Sequence, residues 1–247
     1  MRKHIANCFT LLNLVFGCLA VIYILNGIGK PGADNALQNM YDAAIFICCA
    51  AVVDFLDGLI ARLLNAASEL GKQLDSLADL VSFGVAPGLI VFQFLKISIA
   101  KNNPELAGNI WYLLPALLLP CAGAFRLARF NLSKSKNLNF EGMPIPAAGI
   151  FVASLPVIYY FNHFVFVQNL LQNMWLWYVV IFVVSFLMIS TLPMMSMKFK
   201  NLSFIQNWPK FLLVIIAVLL VIFFKWLAVS IIFLLYVLLS LITLQKE

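Results

Sequence analysis

Long apolar runs decide what this chain can become. Residues 211–244 are almost continuously apolar, and similar runs recur along the whole sequence between short polar breaks. A helix needs about 20 predominantly apolar residues to cross a bilayer. Of the 247 residues, 64% are hydrophobic and 11% are charged, whereas soluble domains run nearer half apolar and a quarter charged. The excess apolar surface has to face lipid. Eight spans are read at 8–25, 40–62, 74–95, 110–131, 145–161, 175–195, 209–224 and 226–244, with Lys225-Trp226 as the interfacial break in the last run. The expected fold is therefore an all-α, polytopic transmembrane bundle.

Charge sets its orientation. With the N-terminus inside, twelve Lys and Arg fall in cytoplasmic segments, against Lys30, Lys96, Lys101 and Lys225 outside. The outer loop at 162–174 holds no charged residue. The positive-inside rule then places both termini in the cytoplasm, as expected of a multi-pass protein of the cell (inner) membrane. The net charge of +6 does not point to nucleic acid, because the basic residues lie between apolar runs and build no stripe. They suit loops anchored at the anionic headgroups of membrane lipids. Met-Arg-Lys-His before an apolar run resembles a signal peptide, but Asn7, Thr10 and Asn13 recur on one side of that run, as in a retained, packed helix.

The five cysteines show no CxxC spacing and are expected to be buried free thiols. Two histidines, His4 and His163, are too few for a His-based metal site or a Ser-His triad.

The acids point to chemistry. Asp54 and Asp57 lie at the cytoplasmic end of span two, and Asp75 and Asp79 at the start of span three. An unpaired Asp at mid-span costs about 2.5–3.5 kcal/mol on insertion scales, so intramembrane acids read as functional. At about 100° per residue, Asp54, Asp57, Gly58 and Ala61 share one arc with Arg62 at its edge. Gly71, Asp75, Asp79 and Ser82 form a second stripe. The short link at 63–74 makes an antiparallel helix pair whose stripes face each other. Four carboxylates around one cavity need cations, and an all-oxygen ligand set selects hard ones: Mg²⁺ or Mn²⁺, with Ca²⁺ as a third choice. Two ions are expected. Gly58 and Ala61, interleaved with the acids, leave room for a flat ligand. Intramembrane carboxylates also build ion pathways. Transporter sites, however, tend to sit near the midplane in repeated halves, and here the site lies at one face and occurs once.

Residues 54–79 read DFLDGLIARLLNAASELGKQLDSLAD. This resembles the signature of the CDP-alcohol phosphatidyltransferases, DxxDGxxARx8GxxxDxxxD, at every fixed position. Asn7, Thr10, Asn13 and Gly17 are similar to the family's first helix. RLARFN at 126–131 and GMPIPAAG at 142–149 resemble the bacterial phosphatidylserine synthase branch, as does the eight-span count. The resemblance implies a six-helix family core within residues 1–195, followed by two further transmembrane helices in 196–247. It also implies CDP-diacylglycerol as donor, a phospholipid plus CMP as products, and a homodimer. Carried over by resemblance, Asp54, Asp57 and Asp75 bind metal, and Asp79 is the general base and a further metal contact. Gly58, Ala61 and Arg62 line the CDP pocket, Gly71 keeps the nucleotide approach open, and Asn7 and Thr10 touch the donor. Sister branches use other alcohols, glycerol 3-phosphate and inositol phosphate among them, so the motif leaves the acceptor open. L-serine is expected here. Arg126 and Arg129 share a helix face and offer forks for a carboxylate or for the donor's phosphates, with Asn131 and Glu141 as partners for the ammonium.

Overall fold

The computed structural model describes residues 2–28, 33–64, 68–106, 108–132, 140–162, 164–194 and 204–243. Ten α-helices carry the architecture of the described residues. The first two, α1 (Arg2–Ile28) and α2 (Ala33–Leu63), pack along each other. On α1 the inward stripe is Thr10, Asn13, Gly17, Ala20, Ile24 and Gly27. On α2 it is Ala36, Met40, Ala43, Ile47, Ala50, Val53 and Asp57. Small side chains let membrane helices approach closely. The outward residues are large and apolar, among them Val52, Phe55, Phe182 and Ile222, as lipid contact requires.

Beyond a turn after Leu63, Ser68 starts α3 (Glu69–Asp79) by accepting the Gly71 N–H at 3.0 Å, an N-cap that satisfies one orphan donor. The helix continues through a π turn at Leu80–Val85 into α4 (Ala86–Asn102). The whole is 34 residues from Glu69 to Asn102, or about 51 Å at 1.5 Å per residue. That is well beyond the expected 74–95 and longer than a hydrocarbon core of about 30 Å. The π turn lies at the centre of the packing. Cβ atoms added at Gly17 of α1 and Gly149 (of α6, below) would come within 2.9 Å of the Cα atoms of Ser82 and Phe83 respectively. These two glycines let their helices touch the π turn.

Span four is helical over a shorter stretch than expected. Tight 3₁₀ turns at Ile110–Tyr112 and Leu114–Leu117 precede α5 (Leu118–Leu132). Pro115 lies in the second turn, where a missing N–H and a rigid ring oppose a continuous α-helix. Then come α6 (Ile145–Phe161), α7 (Val165–Leu171) and α8 (Met174–Ile189), the last two meeting at 67°. A two-residue strand pair, β1 (Phe140–Glu141) with β2 (Pro193–Met194), is antiparallel and is the one departure from helix and turn among the described residues. It fastens the entry to α6 onto the exit of α8, helped by Gly142 N–H to Leu192 O at 2.8 Å and Met143 N–H to Leu187 O at 3.0 Å. Gly142 has φ +72°, and a Cβ there would lie 2.6 Å from the Ser190 carbonyl oxygen.

The last pair, α9 (Phe204–Phe224) and α10 (Leu227–Thr243), turns at Lys225-Trp226 as expected. α10 lies on α6, with Phe233 stacked on Phe151 at 4.1 Å and Ser230 bonded to Ser154 at 3.1 Å. Among the described residues, three helical stretches are by themselves long and apolar enough to cross a membrane: Asn7–Gly27, Asn35–Leu63 and Glu69–Asn102. Shorter apolar helices accompany them at Ile145–Phe161, Leu212–Phe224 and Leu227–Ser240. The chain is a helical membrane protein. The cysteines are free, as expected, but four of them, Cys8, Cys18, Cys48 and Cys121, are exposed on the bundle surface. They are weakly polar apolar-phase residues, and a bundle in lipid can turn them outward as readily as Ala or Leu.

Candidate active site

The inward stripes of α1 and α2 end on polar residues at the same end of the bundle. Thr10 is buried and its hydroxyl donates to the Asp57 carboxylate. Asp54 lies nearly one turn before Asp57 on α2, and Asp75 reaches them from α3. One carboxylate oxygen from each of Asp54, Asp57 and Asp75 lies within 4.8 Å of the others. α2 and α3 share little direct packing, and both lean on α1. The expected face-to-face helix pair is therefore splayed, with the carboxylates meeting across the gap.

Asp79, expected as the fourth member, lies against Asp54 of this triad. Its carboxyl faces that of Asp54 at hydrogen-bond range, and its Oδ1 accepts the Asn13 Nδ2–H at 3.3 Å. Asp79 and Asn13 are both buried. Asp57 Oδ2 is buried with no hydrogen-bond partner, and a buried acceptor left unpaired is costly. An orphaned carboxylate oxygen inside a three-carboxylate cluster fits a hard divalent cation. Three protein oxygens also leave coordination positions for water or phosphate. Among the described residues, no other His, Cys, Asp and Glu group of three or more has this spacing.

The other expected residues surround the triad. A Cβ on Gly58 would meet nothing within 4 Å, so the space beside the acids is open. Arg62 is exposed and folds back, its Nε donating to the Gly58 carbonyl at 2.8 Å. Ala61 is half-buried. Gly71 is a point of close approach: a Cβ there would lie 3.1 Å from Asn7 Oδ1, so Asn7 sits against the start of α3.

The arginines part company. Arg126 is buried, and its Nε has no hydrogen-bond partner. It lies over the Phe130 ring at 5.9 Å, within electrostatic reach of Asp79 and of Tyr236 on α10. Arg129 instead donates to the carbonyls of Ile189 at 2.7 Å and Ser190 at 2.9 Å, closing the C-terminal end of α8. The Asn131 side-chain amide donates to Ser76 Oγ at 2.8 Å, and the Asn131 backbone carbonyl accepts from Lys72 Nζ at 3.2 Å, which ties α5 to α3. The Glu141 side chain lies outside the described residues.

Sequence reasoning passed over three residues here. Asn13 carried a signal, the Asn7–Thr10–Asn13 spacing. Ser82 sat on the acidic stripe but was given no role. Tyr236, in the middle of an apolar run, carried none.

The family model for CDP-alcohol phosphatidyltransferase matches residues 3–168, a segment that holds all four aspartates, Asn13, Ser82 and both arginines. Three curated relatives share one name, CDP-diacylglycerol–serine O-phosphatidyltransferase. The Bacillus subtilis (strain 168) protein is 36% identical over 157 residues, covering 64% of this chain and 77% of that one. The Helicobacter pylori (strain J99) protein is 30% identical over 213 residues, covering 85% and 78%. The Saccharomyces cerevisiae protein is 36% identical over 152 residues, covering 58% and 50%. With the signature spacing met in the sequence, the acids gathered in space and two thirds of the chain inside the family match, this protein belongs to the CDP-alcohol phosphatidyltransferase family.

Proposed function

We propose that the protein transfers the phosphatidyl group of CDP-diacylglycerol to the hydroxyl of L-serine, releasing CMP. The observation that carries the proposal is the Asp54–Asp57–Asp75 triad with the Asp79 carboxyl against that of Asp54. Such a cluster suits cation binding, and a carboxylate at its edge suits a proton. The names of the relatives support serine as acceptor.

Asp54, Asp57 and Asp75 would hold divalent ions, Mg²⁺ or Mn²⁺, which when bound neutralise the pyrophosphate oxygens and stabilise the leaving CMP. Asp79 takes the proton of the serine hydroxyl. The serine oxygen bonds to the phosphorus that carries diacylglycerol, and the P–O bond to CMP breaks. The open space at Gly58, bounded by Ala61 and Arg62, receives the cytidine nucleotide. Asn7 and Gly71 shape its approach, and Thr10 orients Asp57. Arg126, whose Nε has no hydrogen-bond partner, offers its guanidinium to the serine carboxylate. Arg129 supports Arg126 from the next turn by bracing α5 on α8. Asn131 links α3 and α5 beside the site, with Glu141 nearby in sequence for the ammonium.

In this reading eight spans cross the cell membrane, the termini and the site face the cytoplasm, residues 1–195 form the core, and the enzyme works as a homodimer. An impermeant thiol reagent reaching a cysteine placed at Asn169 only from the cytoplasmic side would reverse that orientation. Radiolabelled CDP-diacylglycerol offered to the purified protein with a panel of alcohols tests the function. Serine-dependent release of CMP, well above that with glycerol 3-phosphate or inositol phosphate, is expected. A preference for glycerol 3-phosphate would remove serine, and no CMP release with any alcohol would remove the reaction.

A further inference from the structure

The apolar helix α10 sets its polar side chains Ser230, Tyr236 and Ser240 on one side. Ser230 bonds Ser154 of α6 at 3.1 Å. Ser240 is fully buried. Tyr236, one turn before it, is half-buried, and its hydroxyl is hydrogen-bonded to Ser240. Phe233, stacked on Phe151 at 4.1 Å, fills the space between, while Leu234 and Leu238 point the other way and are exposed. Tyr236 and Ser240 are thus turned into the bundle, where buried polar groups are held by partners. α10 also packs on β2, which follows directly on the end of α8 that Arg129 holds through the Ile189 and Ser190 carbonyls. Tyr236 therefore lies at the same end of the bundle as Arg126 and the acids.

Arg126 is the charge that Tyr236 faces. Only 6% of the arginine is exposed, and its Nε has no hydrogen-bond partner. A guanidinium keeps its charge when buried, and a buried charge is costly unless it is paired. The position is built to receive an anion. The groups around it come from three elements. Its own helix supplies the Phe130 ring at 5.9 Å and, one turn on, the like charge of Arg129. α3 supplies Asp79, whose carboxyl is already engaged with Asp54 and Asn13. α10 supplies Tyr236. A phenol differs from a carboxylate in one respect that matters here. Its oxygen can accept from a guanidinium, which has donors only, without cancelling the charge that an incoming anion needs.

We infer that Tyr236, anchored by Ser240, is a positioning residue that orients the Arg126 guanidinium toward the anionic group of the acceptor, so that α10 forms part of the acceptor-binding site. This rests on the reading of Arg126 as the residue that takes the serine carboxylate. It goes beyond that reading because α10 lies outside the family match at residues 3–168, and it gives the C-terminal helix pair a part in substrate selection besides anchorage. A guanidinium holds a carboxylate through two parallel bonds only when its plane is aligned with it. Loss of the phenol oxygen leaves the charge in place and lets the fork turn. Acceptor affinity then falls, while the donor, held at the acids and beside Gly58, is unaffected.

The test is a double-mutant cycle read in steady-state CMP release, with serine and CDP-diacylglycerol varied in turn. Tyr236→Phe keeps the ring and its packing and removes the hydroxyl alone. It is expected to raise the serine KM by about five- to thirtyfold, within the range of coupling between residues of one polar network, with kcat and the donor KM changed by less than about threefold. Combined with Arg126→Lys, the same change is expected to raise the serine KM by less than about twofold further, because the fork it served is gone. Ser240→Ala leaves the phenol without its anchor and shifts the serine KM the same way by less. It stands in should Tyr236→Phe not fold.

A merely structural role would act alike with and without Arg126→Lys. Equal effects in the two backgrounds, a change in kcat or donor KM as large as that in serine KM, or a serine KM within about twofold of wild type overturns the inference. Preference of the wild type for another alcohol would fault the serine assignment instead. The coupling of Tyr236 to Arg126 is then read in the KM of that alcohol, and its absence there still overturns the role of Tyr236.

Discussion

Removing the cation should soften the whole acid-bearing end of the bundle. Three carboxylates with oxygens within 4.8 Å of one another repel with at least about 3.5 kcal/mol per ionised pair at an effective dielectric constant of 20, or about 10 kcal/mol for three pairs. That sum bounds the repulsion an ion relieves. The measurable gain follows linkage, about 2.7 kcal/mol at an ion concentration 100 times the dissociation constant. For a chain of 247 residues, each kcal/mol moves the midpoint by about 2–4 °C, so chelation should lower Tm by about 5–11 °C. Thermal unfolding of the purified protein in detergent, in EDTA and after Mn²⁺ is restored, provides the assay. Asp75→Asn sharpens it, because it removes a ligand and a repulsive charge together. This variant should lose most of the Mn²⁺ shift and, in EDTA, melt at or above the wild type. Equal midpoints with and without Mn²⁺, or a full shift retained by Asp75→Asn, would refute the assignment of the triad.

Other perturbations separate chemistry from packing. Asp79→Asn is nearly isosteric and cannot accept a proton, so kcat should fall by about 10²–10⁴-fold; retention of a tenth of normal turnover would remove it as the base. Gly58→Leu should abolish donor binding without loss of Tm, since its Cβ meets nothing. Gly149→Ala, whose Cβ would press on Phe83 at 2.8 Å, should cost about 1–3 kcal/mol of stability; reversed effects at the two glycines would misplace the pocket. Arg126→Lys should raise the serine KM by about tenfold, because a point charge does not reproduce the fork. Arg129→Lys should instead lower Tm by releasing the Ile189 and Ser190 carbonyls, at about 2 kcal/mol for a half-exposed charged donor, with serine KM read in the same assay.

Much of the fold was legible because lipid imposes a length and a polarity on every span. The break at Lys225-Trp226 followed from an apolar run too long for one crossing. The extension of the third span to Glu69–Asn102 was not readable, since its first turns carry Glu69, Lys72 and Gln73 and look like loop. The π turn at Leu80–Val85 leaves no pattern in composition. It is visible only once Gly17 and Gly149 are found pressing against Ser82 and Phe83, and neither glycine is near that turn in sequence. Cysteine burial was misjudged because apolar surroundings in a membrane protein include the outside of the bundle.

The site divides along the same line. The placement of Asp54, Asp57, Asp75, Gly58 and Gly71 at one end of the bundle was legible because it depends on spacing within two consecutive helices. Periodicity measures that spacing directly. The residues that set the polarity of the site act across helices. Asn13 reaches Asp79 over 66 positions and Ser82 reaches back over 69. Arg126 faces Asp79 from α5 and Tyr236 from α10. A lone tyrosine in an apolar helix reads as a lipid-facing aromatic until the packing is known, here the Phe151–Phe233 stack and the Ser154–Ser230 bond that turn one face of α10 inward. In a membrane protein the outer surface is as apolar as the core, so hydropathy does not distinguish the two sides of a span. Polar residues do, because each one in lipid must find a partner. Isolated Asn, Ser and Tyr within spans are for that reason better guides to the inward face than the apolar pattern around them.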